Sequence, residues 1–118
     1  MIINQGDVYW IQGQEDVDES DLGVHRHPYV VLQEDVFNHS RLDTVIVCAL
    51  TTNMKQANAY GNVLLDEGEA NLPKQSVVVV SKVSAVKKAQ LGDYIGSLSA
   101  DRVAQILAGM RFLQTSFR

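Results

Sequence analysis

Short apolar runs, some alternating with polar residues at a period of two and some unbroken, dominate the first part of this chain, and the period changes near its end. "GDVYWIQ", starting at Gly6, reads as a short strand, and "HPYVVLQ" from His27 as a second. Pro28 fits a first or edge position, where no ladder donor is needed. "TVIVCALTTN" from Thr44 is almost continuously apolar, which predicts a strand covered on both faces. "GNVLLD" and "QSVVVVSKV" are two more strands around the turn cluster "EGEANLPK", and "DYIGSLS" ends the series. "EDVFNHSRLD", after strand two, is polar and mixed, and reads as a short helix or turn. From Ser99 the spacing becomes helical. Ser99 suits an N-cap and Asp101 the first turn, while Val103, Ile106, Leu107, Met110 and Leu113 recur on one stripe. This predicts an amphipathic helix over roughly residues 100–115, with Gly109 as its weak point.

Five or six short strands and a terminal helix in 118 residues predict one mainly β domain, residues 1–118, curled into a compact barrel. Hydrophobic residues are 46% of the chain and charged residues 20%, enough for one core and unlike a disordered segment. No apolar run is long enough to cross a bilayer, and the first residues lack a signal-peptide pattern. The single cysteine, Cys48, sits in an apolar strand and reads as a buried thiol. These features fit a cytoplasmic protein with no membrane association.

The net charge of −4 argues against bulk capture of nucleic acid, but the charge is uneven. Acids concentrate in "QEDVDESD", either as a solvated loop or as a screen for a positive site nearby. Just after it comes "VHRHP", which sets His25, Arg26 and His27 at the mouth of strand two. Histidine can take or give a proton near neutral pH, and arginine matches phosphate with a planar fork. The cluster thus reads as a phosphate and proton-transfer edge, or more simply as a polar loop capping a strand. On an extended strand Arg26 and His27 point to opposite faces, while His25 and His27 share one. A zinc site from His25, His27 and His39 lacks a carboxylate or cysteine at supporting spacing, so no metal and no cofactor is expected. Tyr9 and Trp10 read as core or barrel rim, with base stacking as a second use.

Taken in order, "GDVYWI", "HPYVVLQEDVFNHSRLDTVIVCALTTN", "GNVLLDEGEANLPKQSVVVV" and "LGDYIGSLS" resemble the MazF/PemK family over residues 5–113. These are toxin ribonucleases of bacterial toxin–antitoxin modules. The resemblance implies an SH3-like β-barrel, like that of MazF, Kid and CcdB, with a C-terminal helix. It also implies a homodimer and a metal-independent endoribonuclease that cuts single-stranded RNA at a preferred sequence through the RNA's own 2′-OH. A cognate antitoxin would fill the RNA groove, with operator DNA bound only by the toxin–antitoxin complex.

The family arginine before the strand-two proline falls on His27 here, with Arg26 one step earlier. Either Arg26 reaches the phosphate or His27 takes a different role. Thr51 fits the family's phosphate-bonding threonine, against a simpler reading as a strand-end turn residue. Thr52, Asn53, Ser81 and Lys82 are the further RNA-contacting candidates. Relatives carry an acid near Ser81 that this chain lacks. Lys87 and Lys88 could follow the RNA backbone or lie in a solvated turn, and Asn38 and Arg41 could shape the turn or a dimer interface. The same barrel family includes a gyrase-poisoning toxin without nuclease chemistry, so a catalytically weak binding module remains the second reading.

Overall fold

The computed structural model describes residues 1–12 and 26–115. His25 and the acidic run before it lie outside the described residues. Six strands form one antiparallel sheet: β1 (Asp7–Gln12), β2 (Arg26–Val31), β3 (Thr44–Thr51), β4 (Val63–Leu65), β5 (Ser76–Lys87) and β6 (Tyr94–Ser97). Their order is β4-β5-β3-β2-β1-β6. A short helix, α1 (Asp35–Asn38), follows β2, and the long helix α2 (Ala100–Thr115) ends the described chain.

The strand alternation sorts residues into two cores. Val8, Val30, Cys48 and Leu50 face one way, onto Ile106 and Val103 of α2. Tyr9, Ile11, Val31, Val45 and Val47 face the other way, with Ile3 and Leu91. β3 is therefore covered on both faces, as its unbroken apolar run predicts. Met110 and Leu113 complete the helix stripe, but Leu107 is 38% exposed and falls outside it. Ser99 caps α2 as expected, with its Oγ accepting from Arg102 N at 3.2 Å.

The sheet curls because β5 breaks register. Its pairing with β3 passes from Cys48 opposite Val83 to Leu50 opposite Val78, so β5 holds extra residues there. Such a break frees buried backbone groups, which must find partners. Val80 N donates to Asn62 Oδ1 at 3.0 Å, and Val79 O accepts from Cys48 Sγ at 3.0 Å. Burial pushes the Cys48 thiol up to about 12, so it stays protonated and can donate.

The two sheet edges are bridged by the 3-10 turn Glu69–Asn71 after β4. Asn71 Nδ2 donates to Ile95 O of β6 at 3.1 Å, and Glu69 receives Arg102 of α2 through two bonds of 2.9 Å. At the other end of the strand pair β1–β6, buried Asp7 accepts from Ser97 Oγ at 2.7 Å and from Asn4 N at 2.9 Å. Burial first, and the Asp7 carboxylate second, push the Tyr9 hydroxyl up to about 12.

Pro28 is not at the end of its strand but inside β2, opposite Trp10. The reason it is tolerated lies in Trp10. Both backbone groups of Trp10 turn away from β2, its N–H donating to Asp93 O and its C=O accepting from Gly92 N. In an antiparallel ladder, opposed residues exchange both bonds or neither. Trp10–Pro28 is thus a pair without hydrogen bonds, and the nitrogen of Pro28 faces the side of β3. There, β2–β3 pairing begins only at Tyr29 opposite Ala49. The missing N–H therefore takes no bond from the β1–β2 ladder, and β2 and β3 part at that point.

Gly109 of α2 packs directly on the turn before β4. A Cβ at Gly109 would run into the carbonyl oxygen of Gly61, whose own φ is +84°. In a free helix Gly→Ala gains about 1 kcal/mol. Gly109→Ala in this protein should instead destabilise by about 1–3 kcal/mol through overpacking, measured by urea unfolding. A stabilised variant would show that α2 does not sit this close.

Candidate active site

Where β2 parts from β3, a cavity of about 330 Å³ opens. One wall is Trp10 of β1 with Arg26, His27 and Pro28 of β2. The opposing wall is the end of β3, Leu50 to Thr52, together with Leu72, Pro73, Lys74 and Ser76 leading into β5. Among the described residues the lining combines an apolar floor with hydroxyls and two cations, without a carboxylate. In a chain with net charge −4, that local balance favours an anion.

Arg26 holds a defined place. Its guanidinium lies over the indole of Trp10, 5.3 Å from the ring centroid. Its other neighbour is Asp93, at 4.0 Å, with the two side chains 55% and 88% exposed. An exposed stack is worth about 0.5–1 kcal/mol and an exposed ion pair about as little. Arg26 is therefore positioned at the cavity but weakly held, so that an incoming anion can recruit it. Trp10, Pro28 and Arg26 occupy the same face of the β1–β2 ladder. His27 borders the cavity too, but its register position is on the opposite face, opposite Ile11 and between the positions of Arg26 and Pro28. The choice left open by the sequence thus leans to Arg26 as the cation of the groove.

Thr51 and Thr52 both line the cavity. Thr51 Oγ1 accepts from Asn53 N at 3.1 Å, the turn bond typical of a strand end. That bond uses a lone pair and leaves the hydroxyl proton available to donate. Asn53 is engaged one step further on, where its Oδ1 accepts from Lys55 N and starts the 3-10 turn Met54–Asn58.

The remaining candidates disperse. Ser81 and Lys82 are exposed, lie within the register break of β5 between Val78 and Val83, and are not in the cavity lining. His39 bonds Asn4 at 2.9 Å and lines a different cavity, with Met1, Ile2 and Lys88. Lys88 is engaged at the α1 turn, where its Nζ donates to Asn38 O at 2.9 Å and Ser40 O at 3.1 Å. Asn38 is buried and shapes the turn, its Nδ2 donating to Gln33 O at 2.6 Å. Among the described residues no group of three or more His, Cys, Asp or Glu is placed to hold a metal. Lys74 and Ser76 are the cavity residues that sequence reasoning missed. The one signal for them was their place beside Pro73 in a turn between two apolar strands.

Comparison with known proteins gives this cavity a context. The profile of PemK-like, MazF-like toxins of type II toxin–antitoxin systems matches residues 4–113. Endoribonuclease MazF6 of Mycobacterium tuberculosis is 33% identical, with 94% of this chain and 96% of that protein covered. Endoribonuclease EndoA of Bacillus subtilis is 27% identical, with 90% and 89% covered. Among solved structures, a mycobacterial endoribonuclease in complex with its cognate antitoxin superposes with a TM-score of 0.73 at 19% identity, covering 98% of this chain and 97% of that one. MazF from Deinococcus radiodurans gives a TM-score of 0.73 at 17% identity, with 97% of each chain covered. At such identities the structural likeness speaks for the fold.

Trp10 is the only tryptophan in the chain, so its emission reports on this cavity alone. Single-stranded DNA, an anionic chain with no 2′-OH to react, should change that emission by drawing Arg26 off the indole. Arg26→Ala should remove most of the response, whereas an identical response in both proteins would place anion binding elsewhere.

Proposed function

Because the chain belongs to the PemK-like, MazF-like toxins of type II toxin–antitoxin systems, we propose that its cavity cleaves single-stranded RNA without a metal ion. The observation that carries this reading is the convergence of Arg26, Thr51 and Thr52 on one cavity. The 2′-oxygen of the RNA attacks the adjacent phosphorus, the bond to the 5′-oxygen breaks, and the products are a 2′,3′-cyclic phosphate and a 5′-hydroxyl. Arg26 meets the phosphate oxygens with a planar fork, and the Thr51 hydroxyl adds a neutral donor. Donors aimed at the charge that develops on phosphorus lower the barrier most.

Two protons also move, one off the 2′-OH and one onto the leaving oxygen. Among the described residues the cavity lining includes an imidazole and no carboxylate, and an imidazole suits either transfer near neutral pH. His27 borders the cavity, and His25 lies outside the described residues. The apolar floor of Trp10, Leu50, Leu72 and Pro73 suits the face of a base.

The partners follow the same reading. A cognate antitoxin occupies the groove, and operator DNA is bound only by the resulting complex. The chain works as a homodimer in the cytoplasm. Among the described residues no helix is long and apolar enough to cross a membrane. Beyond Val78, β5 no longer pairs with β4, and Val83 there is 37% exposed. A second copy covering that edge would remove an open ladder. Sedimentation at micromolar concentration should give twice the mass of one chain, and a species of one chain's mass alone would contradict the dimer.

The activity is tested by incubating purified protein with a long unstructured RNA in EDTA and mapping the ends. Cleavage at a recurring short sequence, with 5′-hydroxyl products, is expected. The rate should follow pH through the range where imidazole titrates. Arg26→Ala should lower the rate on the order of a hundredfold or more, and Thr51→Ala less, since its bond is neutral. His39→Ala, in its separate cavity, should leave it unchanged. Intact RNA beside well-folded protein would turn the reading to a binding module that holds antitoxin or nucleic acid without cutting.

A further inference from the structure

We propose that Lys74 is a second phosphate-binding cation of this cavity and grips the RNA backbone beside the reacting phosphate. The inference rests on the RNA reading above and adds a residue that the resemblance did not supply. Of the cations in the described residues, two line the cavity, Arg26 and Lys74. The others lie outside its lining. Lys88 is bonded to two carbonyl oxygens of the α1 turn, and Arg102 is bonded to Glu69 and Gln105. Lys82, the cation favoured by the sequence, lies within the register break of β5 and outside the lining.

The backbone around Lys74 is fixed from both sides. Leu72 is buried, its N–H donates to Glu69 O at 2.9 Å, and its C=O accepts from Gly68 N at 2.9 Å. Glu69 is in turn bound by Arg102 of α2. Pro73 restricts the next φ. On the far side Ser76 is buried, and its Oγ donates to Lys74 O at 2.9 Å. Leu72, Pro73 and Ser76 line the cavity themselves, so Lys74 stands between anchors at its wall. Its side chain is exposed and, among the described residues, has no carboxylate partner. A lysine so placed is a point charge on a free stem, suited to a backbone phosphate rather than to a shaped transition state.

This predicts a binding role, separable from that of Arg26. After the cut is mapped in a long RNA, a short RNA spanning it, with a 2′-deoxy residue at the cleaved nucleotide, serves as the uncleavable probe. Lys74→Ala should weaken probe binding and lower kcat/KM on the order of tenfold, mostly through KM. It should also flatten the dependence of log affinity on log salt by about 0.7, the loss of one phosphate contact on a single strand. Lys74→Arg should restore both, and Arg111→Ala, an equal charge loss on α2, should change neither. Wild-type affinity and salt slope in Lys74→Ala, or the same losses in Lys82→Ala instead, would overturn the proposal. Should the wild-type protein cut no RNA, the catalytic reading fails on its own. Lys74 is then judged on labelled poly(U), where lost affinity in Lys74→Ala supports it and unchanged affinity overturns it.

Discussion

Both backbone groups of Trp10 bond toward β6 and none toward β2, and the site follows from that choice. It makes the opposed residue one that needs no donor, which is where Pro28 sits. Proline in turn has no N–H to give β3, and β2–β3 pairing starts one residue on, at Tyr29. A sheet that opened by mere fraying would expose unpaired groups at a cost of about 1–3 kcal/mol each when buried. Here the opening is made with a residue that has no N–H to strand. The indole of Trp10 then lies on the groove face and carries the guanidinium of Arg26.

The other wall depends on a second irregularity. The register break in β5 bends that strand after Val78, with Asn62 and Cys48 taking up the backbone groups it releases. One consequence is that the start of β5 and the turn before it close on the cavity, while Ser81 and Lys82 are carried away from it. The turn also bridges the sheet edges and is tied to α2 through Glu69 and Arg102, with the carboxyl of Glu69 held below its ordinary range by that guanidinium. Folding and site assembly thus share the same contacts. The terminal helix supports the cavity wall at a distance, without entering it.

Much of this was legible in the sequence because burial imposes a period. Strands β1 to β4 and β6, the double coverage of β3 and the span of α2 all follow from apolar spacing. Leu107 was misread because the helix stripe is narrower than the spacing allowed, being set by the close approach of Gly109 to Gly61. Gly109, which looked like a weakness, is a packing requirement. The cluster before Pro28 was visible, and so was Thr51. The preference for Arg26 over His27 needed the ladder register, which alternation alone fixes only once the strand is known to start at Arg26. That Lys74 lines the cavity and Lys82 does not was illegible, because a register break leaves no periodic mark in "SVVVVSKV". Uniform β-branched residues read the same on either side of a bend.

The central claim is that RNA lies in the opening between β2 and β3, with a phosphate at Arg26. A crystal structure with an RNA carrying a 2′-deoxy residue at the mapped cut tests this most directly. The account predicts a phosphate within hydrogen-bond distance of the Arg26 guanidinium and the Thr51 hydroxyl, with a base against the apolar floor beside Trp10. RNA bound along the outer part of β5 near Ser81 and Lys82, with the Arg26 cavity empty, would contradict it.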